Sequence, residues 1–296
     1  MESLNFVDTI IRGAILTGSF FLFLLLERVL PLRRRSQNMA TRWTVNAVFT
    51  TLAFLTGFLV VRNTTLLLTD WTTEHSFGLL HWLPLGETGQ WMVGFLLMDL
   101  TFYYWHRANH SIRFLWRFHN VHHMDPDMDV TTSFRFHFVE VLFSVGFRSL
   151  QVGLLGVGPA IYMFYELVFQ TATMFHHSNW RLPITIERLL NKVIVTPRMH
   201  GIHHSSIEEQ TNSNYSTVFR FWDLINRSLI LNVIQSQIII GVPGYRRAGD
   251  NKLGHLIVLP FLQQRDYWPL DQKVESRPAD RTLENMAKNN KNQLCE

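Results

Sequence analysis

Histidine is the residue type whose number and spacing point to chemistry. The 296-residue sequence contains 14 histidines, and 11 of them lie between His106 and His204. His106 and His110 form an H-x3-H motif, and two later segments read H-x2-H-H. These two segments are His119, His122, His123 and His200, His203, His204. On a helix, positions i, i+3 and i+4 share one face, so the imidazoles of each motif can converge on a metal ion.

The three motifs offer enough ligands for two metal ions with open coordination positions, if at least one of the adjacent His176 and His177 contributes as well. A histidine cluster with both i+3 and i+4 partners can serve two neighbouring ions because its side chains fan across the helix face. A single motif of this kind can occur in a sequence by chance. Three of them within about 100 residues are poorly explained by chance. Clustered neutral imidazoles have little packing value, and protonated ones would repel each other. A shared metal site is the simplest interpretation.

The ligand set restricts the metal. Nitrogen-only ligation suits zinc, copper, iron or nickel. Structural zinc needs four ligands and often uses cysteine, but the only cysteine, Cys295, lies in a polar tail. A surplus of histidines with open positions favours two iron ions that activate O2. Two zinc ions in a hydrolase are the alternative, and zinc could also replace iron in a purified sample.

Several polar residues near the motifs could hydrogen-bond the ligands or act as further ligands. Asp99 shares a helix face with His106 and lies in an apolar stretch, where a carboxylate is costly and is therefore a functional candidate. Glu140, one turn after His137, is interpreted as a ligand, as an acceptor for a ligand histidine or as a partner of Arg135. The remaining candidates for supporting roles are His137, His176, Asn214 and Asp223.

The composition indicates that lipid surrounds part of the chain. Hydrophobic residues make up 47% and charged residues 17%, against about 25% charged residues in ordinary soluble domains. A mean hydropathy of +0.05 is too low for a bundle of membrane helices alone. The net charge of +4 is mild, and the run Arg33–Arg35 directly follows an apolar stretch. This placement is typical of a membrane-flanking cluster, and nucleic-acid binding would need a broader basic face.

Apolar stretches at 10–32, 45–61 and 90–104 predict three membrane spans, and 138–175, with a central Gly/Pro break, predicts a hairpin of two helices. The predicted fold is all-α: an integral-membrane bundle of about three to five spans or re-entrant helices, with a cytoplasmic helical cap that carries the dimetal site. We divide the chain into membrane spans and a loop (1–90), a catalytic domain (91–230), a C-terminal cytoplasmic segment (231–268) and a polar tail (269–296).

Lys/Arg bias predicts the orientation. The basic groups that follow spans one and three and the hairpin fall on one side of the membrane if each of the first three spans crosses once. That side would be cytoplasmic, and the histidine motifs lie on it. The prediction is therefore a multi-pass protein of a bacterial inner membrane or an ER-type membrane, with its site facing the cytoplasm.

The ordered motifs resemble those of the fatty acid hydroxylase/sterol desaturase superfamily of membrane di-iron oxidases. The resemblance covers about 91–226 and is closer to the bacterial sterol-desaturase-like branch and to alkylglycerol monooxygenases than to fatty acid 2-hydroxylases. It rests on Asp99-x3-Tyr103-x2-His106-Arg107-x2-His110, Phe118-His119-x2-His122-His123, Arg135-x-His137-x2-Glu140, Phe175-His176-His177-Ser178-Asn179, Thr196-Pro197-Arg198-x-His200-x2-His203-His204, Asn212-x-Asn214-Tyr215 and Trp222-Asp223. The segment 224–227 departs from the family pattern, which leaves the ligand set intact but affects the local loop.

The resemblance implies a ligand set, an activity and partners. The implied ligands are His106, His110, His119, His122, His123, His177, His200, His203 and His204. The implied activity is O2-dependent hydroxylation or desaturation of a sterol-like, fatty acyl or ether lipid, with electrons from a separate reductase or cytochrome-type donor. A dizinc membrane hydrolase and a non-catalytic membrane metal-binding protein are the alternatives.

Overall fold

A computed structural model describes residues 6–61, 64–247 and 249–269. Within these ranges the regular structure is helical and β-structure is limited to isolated bridges, so the predicted all-α class is confirmed. Apart from residue 269, the predicted polar tail lies outside the described residues. The α-helices are α1 Phe6–Val29, α2 Met39–Val61, α3 Thr65–Glu74, α4 Leu79–Trp82, α5 Glu87–Ser111, α6 Arg113–His123, α7 Phe138–Leu155, α8 Pro159–His177, α9 Ile184–Leu190, α10 Pro197–His203, α11 Glu208–Thr211, α12 Phe221–Ile225 and α13 Leu253–Val258.

Among the described residues, three segments are long and apolar enough to cross a membrane: Asp8–Val29, Met39–Trp82 and Phe138–Leu155. They contain α1, α2 and α7, and the chain is a membrane protein. The predicted third span, which lies in α5, is not among them, and neither is α8, the second half of the predicted hairpin. Although α5 has 25 residues, it carries histidines, Asp99 and Asn109, and these polar side chains reduce its hydropathy. The predicted orientation, which counted α5 as a crossing, stays a prediction.

The hairpin of α7 and α8 is present, and its turn depends on glycine. Gly156 ends α7 with φ +72°, in the left-handed region, which side chains with a Cβ rarely adopt. A Cβ at Gly156 would also lie 2.4 Å from the carbonyl oxygen of Phe77. Pro159 then begins α8 at a position where a helix tolerates proline. The turn returns α8 alongside α7, and its last residues reach the histidine motifs.

Buried ion pairs attach the loop after α6 to α2. Arg42 binds Asp125 through two hydrogen bonds of 2.5 and 2.9 Å, and it also binds Asp129. Asn46 and Thr132 donate to the same Asp125 carboxylate at 3.2 and 2.8 Å. All of these side chains are buried. Because the loop starts directly after His123, this network determines where α6 ends relative to the membrane helices.

A second attachment comes from α1. Glu27 is fully buried near the end of this apolar helix. Its Oε2 atom accepts the backbone N–H groups of Val130 and Asn179 at 3.0 and 2.9 Å. One carboxylate thereby ties together the segments that follow α6 and α8, both of which end in histidines.

The C-terminal segment covers the outer side of α6. Leu256 and Leu259 share a hydrophobic cluster with Phe49 of α2 and Trp116 of α6. Trp268 stacks on Trp116 with ring centroids 5.6 Å apart. The part of this segment from Val242 to Trp268 thus packs onto the helix that bears His119, His122 and His123.

Candidate metal centre

The nine histidines that the sequence motifs single out come together as two groups. Within each group the candidate ligand atoms all lie within 4.8 Å of one another. Group A is His106, His110, His119, His123 and His203, and group B is His122, His177, His200 and His204. This is a buried, histidine-rich cluster that could hold metal ions.

The two H-x2-H-H motifs are divided between the groups in a complementary way. In the first motif, His119 and His123 join group A and His122 joins group B. In the second, His200 and His204 join group B and the residue before the last, His203, joins group A. Neighbouring helical residues point about 100° apart. The histidines at i and i+4 of each motif would therefore face the ion of one group, while the histidine at i+3 would face the ion of the other group. Each motif can therefore bridge both positions.

The ends of four helices position these ligands. The histidines lie in the last two turns of α5, α6, α8 and α10 or directly after them. The C-terminal end of a helix carries partial negative charge, which favours cations. Four such ends directed at one site provide a favourable electrostatic environment for two divalent ions.

The positions and hydrogen bonds of the ring nitrogens show whether the cluster suits metal ions. Three Nε2 atoms meet at short range: His177 lies 3.1 Å from His122 and 3.0 Å from His200. Leaving a buried polar atom without a partner costs about 1–3 kcal/mol, and such atoms are concentrated in this cluster. Within the cluster, the buried ring nitrogens that have no hydrogen-bond partner among the described residues are His110 Nδ1 and Nε2, His119 Nε2, His122 Nδ1, His123 Nδ1 and Nε2, His200 Nδ1, His203 Nε2, and His204 Nδ1 and Nε2. A cation binds one nitrogen of each ring, so two cations would satisfy the nitrogens that the rings direct into the two groups, and the residues fit a two-metal centre.

The protonation state suits metal binding. Burial, with a further contribution from neighbouring histidines, lowers the pKa of His122, His123, His203 and His204 well below the usual range. These imidazoles are therefore neutral at physiological pH, which is the form that binds a metal.

Backbone carbonyls hold several ligand rings by their Nδ1 atoms. His106 donates to Tyr215 O at 2.7 Å, His203 to Ser213 O at 2.6 Å and His177 to Thr173 O at 2.8 Å. A carbonyl oxygen can only accept, so each Nδ1 carries the proton and each Nε2 is left as the ligand atom. Sequence reasoning missed these acceptors because every residue has a carbonyl and no residue type marks it.

Asp223 and Asn214 support the site indirectly. We expected them to hydrogen-bond ligand histidines, and their described bonds go elsewhere. Asp223 accepts the N–H groups of Tyr215 and Ser216 at 2.8 and 2.9 Å, while Asn214, at φ +53°, donates to the carbonyls of Met199 and Ile230. Together they hold the extended segment 213–217, whose carbonyls orient His203 and His106.

Asp99 also differs from expectation. Its Oδ2 atom accepts from the indole of Trp222 at 2.8 Å and from Phe219 N at 3.1 Å, not from a ligand histidine. Asp99 lies two turns before His106 on α5, so it is level with the loop before α12 and not with the ligands. Its described role is to anchor that loop.

His137 and His176 lie outside both groups. His137 caps α7 by accepting Val139 N at 3.2 Å, and its Nε2 lies 3.1 Å from Ile257 O. His176 directs Nδ1 at Thr217 O at 3.2 Å, and its ring packs 4.1 Å from that of His200. Both histidines are therefore structural neighbours of the cluster in this arrangement.

Glu140 makes the contact predicted for an acceptor of a ligand histidine. Its Oε1 atom lies 2.7 Å from His119 Nδ1, and both side chains are buried. Arg135, the other partner considered for Glu140, instead donates to Val121 O, Asn46 and Asn251. A carboxylate in this position orients the imidazole and increases its basicity as a ligand.

Replacing Glu140 with glutamine is expected to weaken metal binding about 10- to 100-fold, because the amide keeps an acceptor oxygen but loses the negative charge that strengthens His119. Titration of the purified protein with a competing chelator would measure the change. Glu208→Gln, at an exposed position, is the matched control and should bind metal like the unmodified chain. Unchanged affinity in Glu140→Gln would show that this contact does not support a metal.

A cavity of about 690 Å³ connects the histidines with the membrane helices. At one end it is lined by His106, His119, His122 and His177, and at the other by Phe54 and Phe58 of α2. Phe54 is 68% and Phe58 54% exposed, so the cavity reaches the outer surface of an apolar helix. Its volume is within the range of sites that bind small molecules or lipids.

Comparison with known proteins agrees with this arrangement. Residues 91–228 match the fatty acid hydroxylase family. Ornithine lipid hydroxylase OlsE of Rhizobium tropici is 29% identical over 134 residues, which are 45% of this chain and 40% of that protein. Human alkylglycerol monooxygenase is 28% identical over 145 residues, 48% of this chain and 31% of that protein. The chain thus matches less than half the length of these relatives, and no solved structure matches it significantly.

The helical membrane fold and the two histidine groups define a class of membrane protein with a candidate two-metal centre. The segment that matches the fatty acid hydroxylase family, 91–228, contains all nine of these histidines. The resemblance stated from the motifs is confirmed.

Proposed function

We propose that this protein is an O2-dependent di-iron oxidase that hydroxylates a membrane lipid at a C–H bond. One observation carries the proposal: two adjacent groups of buried histidines lie at the end of a lipid-sized cavity that opens among apolar helices. A redox metal centre in contact with such a cavity suits the oxidation of an apolar substrate that arrives from the bilayer. The relatives named as lipid hydroxylase and monooxygenase favour hydroxylation over desaturation.

Groups A and B would each hold one iron ion. When bound, the two ions would supply oxidising power, since O2, two electrons and two protons can convert a C–H bond into C–OH with release of water. The electrons would come from a separate reductase or cytochrome-type donor. Glu140 and the carbonyls of Ser213, Tyr215 and Thr173 would keep the imidazoles in position. The apolar cavity wall would exclude water and align the hydrocarbon.

We place the centre on the cytoplasmic side of the membrane. Arg33 and Arg42 lie in and just beyond the connection between α1 and α2, and both contact the part of the chain that bears the histidines. Arg33 donates to Pro197 O at 3.1 Å, and Arg42 binds Asp125. Basic residues beside membrane spans are typical of the cytoplasmic face, and this argument does not depend on whether α5 crosses.

The dizinc hydrolase alternative is disfavoured by Glu140. A hydrolase would need a carboxylate free to act as general base, and Glu140 was the best candidate in the sequence. In the structure Glu140 Oε1 accepts from His119 Nδ1, so the carboxylate is engaged with a candidate ligand.

Metal analysis combined with lipid profiling tests the proposal. We expect two iron ions per chain, and lipids of the expression host should gain one oxygen atom from isotopically labelled O2 when a reductant and electron donor are supplied. The same membranes under nitrogen are the control and should show no gain. Tightly bound stoichiometric zinc with lipid turnover in the absence of O2 would contradict the proposal.

A further inference from the structure

The cavity contains an ion pair that the metal centre does not use. Arg148 of α7 and Glu166 of α8 both line the cavity, and Arg148 Nη2 lies 3.1 Å from Glu166 Oε1. Arg148 is 6% exposed and lies in the middle of a candidate membrane span. Ionisable side chains at such positions are costly, and they are retained where they bind a substrate or another charged group.

Aromatic rings hold the guanidinium of Arg148 in place. Its Cζ atom lies 4.5 Å from the ring centroid of Phe102 and 4.7 Å from that of Phe169, distances at which a cation is attracted to the ring face. Gln151 Oε1 accepts one of its hydrogen bonds at 3.2 Å. A guanidinium has five N–H donors, and its described partners, Gln151, Glu166 and the hydroxyl of Tyr165, leave donors for an acceptor in the cavity.

Glu166 presents a matching acceptor. Its Oε1 atom is buried and has no well-aligned hydrogen bond in the described residues, although it is close to Arg148. A buried acceptor without a hydrogen bond gains from a donor that enters the cavity. Arg148 and Glu166 therefore offer donors and an acceptor side by side, with opposite charges.

We propose that Arg148 and Glu166 bind a hydroxyl group of an uncharged lipid, so that they select the substrate of this cavity. A hydroxyl can accept from Arg148 and donate to Glu166 at the same time. A carboxylate would be attracted by Arg148 but repelled by Glu166. A protonated amine would be attracted by Glu166 but repelled by Arg148. The ion pair has no net charge, so it favours an uncharged alcohol over a fatty acid. It also favours the alcohol over an alkane, which has no polar group.

The helices set the distance between this pair and the histidines. Arg148 follows Glu140, the partner of His119, by eight positions on α7, which corresponds to about 12 Å of helix. Glu166 precedes His177 by eleven positions on α8, or about 16 Å. A long lipid whose hydroxyl binds the pair would extend its hydrocarbon toward groups A and B. This assignment of substrate class rests on the proposed function, and it implies that the oxidised carbon is remote from the hydroxyl.

Binding to the metal-loaded, full-length protein in detergent micelles tests the assignment. The probes are tritiated hexadecanol, hexadecane and palmitate, and the assay is run under nitrogen without reductant so that no turnover occurs. Because hydrogen bonds to charged groups are among the stronger ones, we expect hexadecanol to bind about tenfold more tightly than hexadecane or palmitate. Equal binding of hexadecanol and hexadecane would overturn the proposal.

Two variants distinguish a change in substrate recognition from a loss of folding. Glu166→Gln removes the repulsion and is expected to gain affinity for palmitate by about tenfold, a gain that misfolding cannot produce. Arg148→Met should bind hexadecanol and hexadecane equally. Leu150→Ala, at an exposed position on the same helix, is the control and should keep the wild-type order. No gain of palmitate binding in Glu166→Gln would contradict the proposal. Because binding is measured without O2, loss of the hydroxyl preference and failure of lipid oxidation are distinguishable results.

Discussion

Replacing His204 with alanine is expected to remove one of the two metal ions and to lower activity by more than about 100-fold, since losing a ligand should cost more than losing a residue that supports one. His204 belongs to group B, which has four members, so its loss leaves three ligands for that ion. Group A does not contain His204, and its metal should remain bound. The expected metal content is therefore about one ion per chain, measured by elemental analysis of protein purified from membranes.

The matched control for this experiment is His75→Ala. His75 is an exposed histidine directly after α3, and its Nδ1 lies 2.9 Å from Trp71 O. This variant should keep both metals and full activity. If His204→Ala also retained two metal ions, group B would not be a metal site, even though its four histidines lie close together.

Replacing Arg42 with methionine is expected to lower the free energy of unfolding by about 3–5 kcal/mol, the usual cost of removing one partner from a buried ion pair. Without Arg42, the buried carboxylates of Asp125 and Asp129 lose the guanidinium that binds both. Denaturant unfolding in detergent micelles would measure the change. Loss of metal should accompany it, because the loop of these aspartates begins directly after His123.

Two further variants separate the loss of the ion pair from a general loss of packing. Adding Asp125→Asn and Asp129→Asn to Arg42→Met removes the unpaired charges and should recover a large part of the lost stability. Arg113→Met, at an exposed position at the start of α6, should change stability by no more than about 0.5 kcal/mol. Equal stability of Arg42→Met and the unmodified chain would mean that the network does not hold the loop.

Eight of the nine histidines could be predicted from sequence because their spacing is local, and the family resemblance implied His177 as the ninth. The i, i+3 and i+4 positions of a helix share a face whatever the rest of the chain does, and the structure brings these histidines together. Their assignment to two ions could not be predicted. Whether His122 joins His119 or His204 depends on how α6 and α10 face each other, which is a property of tertiary packing.

The roles of the supporting carboxylates show the same limit. Asp99 and Glu140 were both candidate partners of ligand histidines. Glu140 contacts His119, whereas Asp99 binds Trp222 and Phe219. The two differ because α7 passes beside α6 at the level of His119, while Asp99 lies two turns away from the ligands. No local pattern contains that information.

Composition and apolar length established a helical membrane protein, because burial in lipid requires long hydrophobic helices whatever their arrangement. They did not establish which helices cross. The helix α5 has sufficient length, but its polar residues face other parts of the protein, and only the folded structure shows where those partners are.

The sequence by itself thus determined the helical class, most of the histidine set and the family resemblance, since these depend on residue types and short spacings. Only the tertiary structure decided the division into groups A and B, the carbonyls that orient the rings and the ion pairs that hold α1 and α2 to the site. It also placed Arg148 and Glu166 in one cavity. Each of these features joins residues that are distant in the chain, and their contacts exist only after the helices have packed.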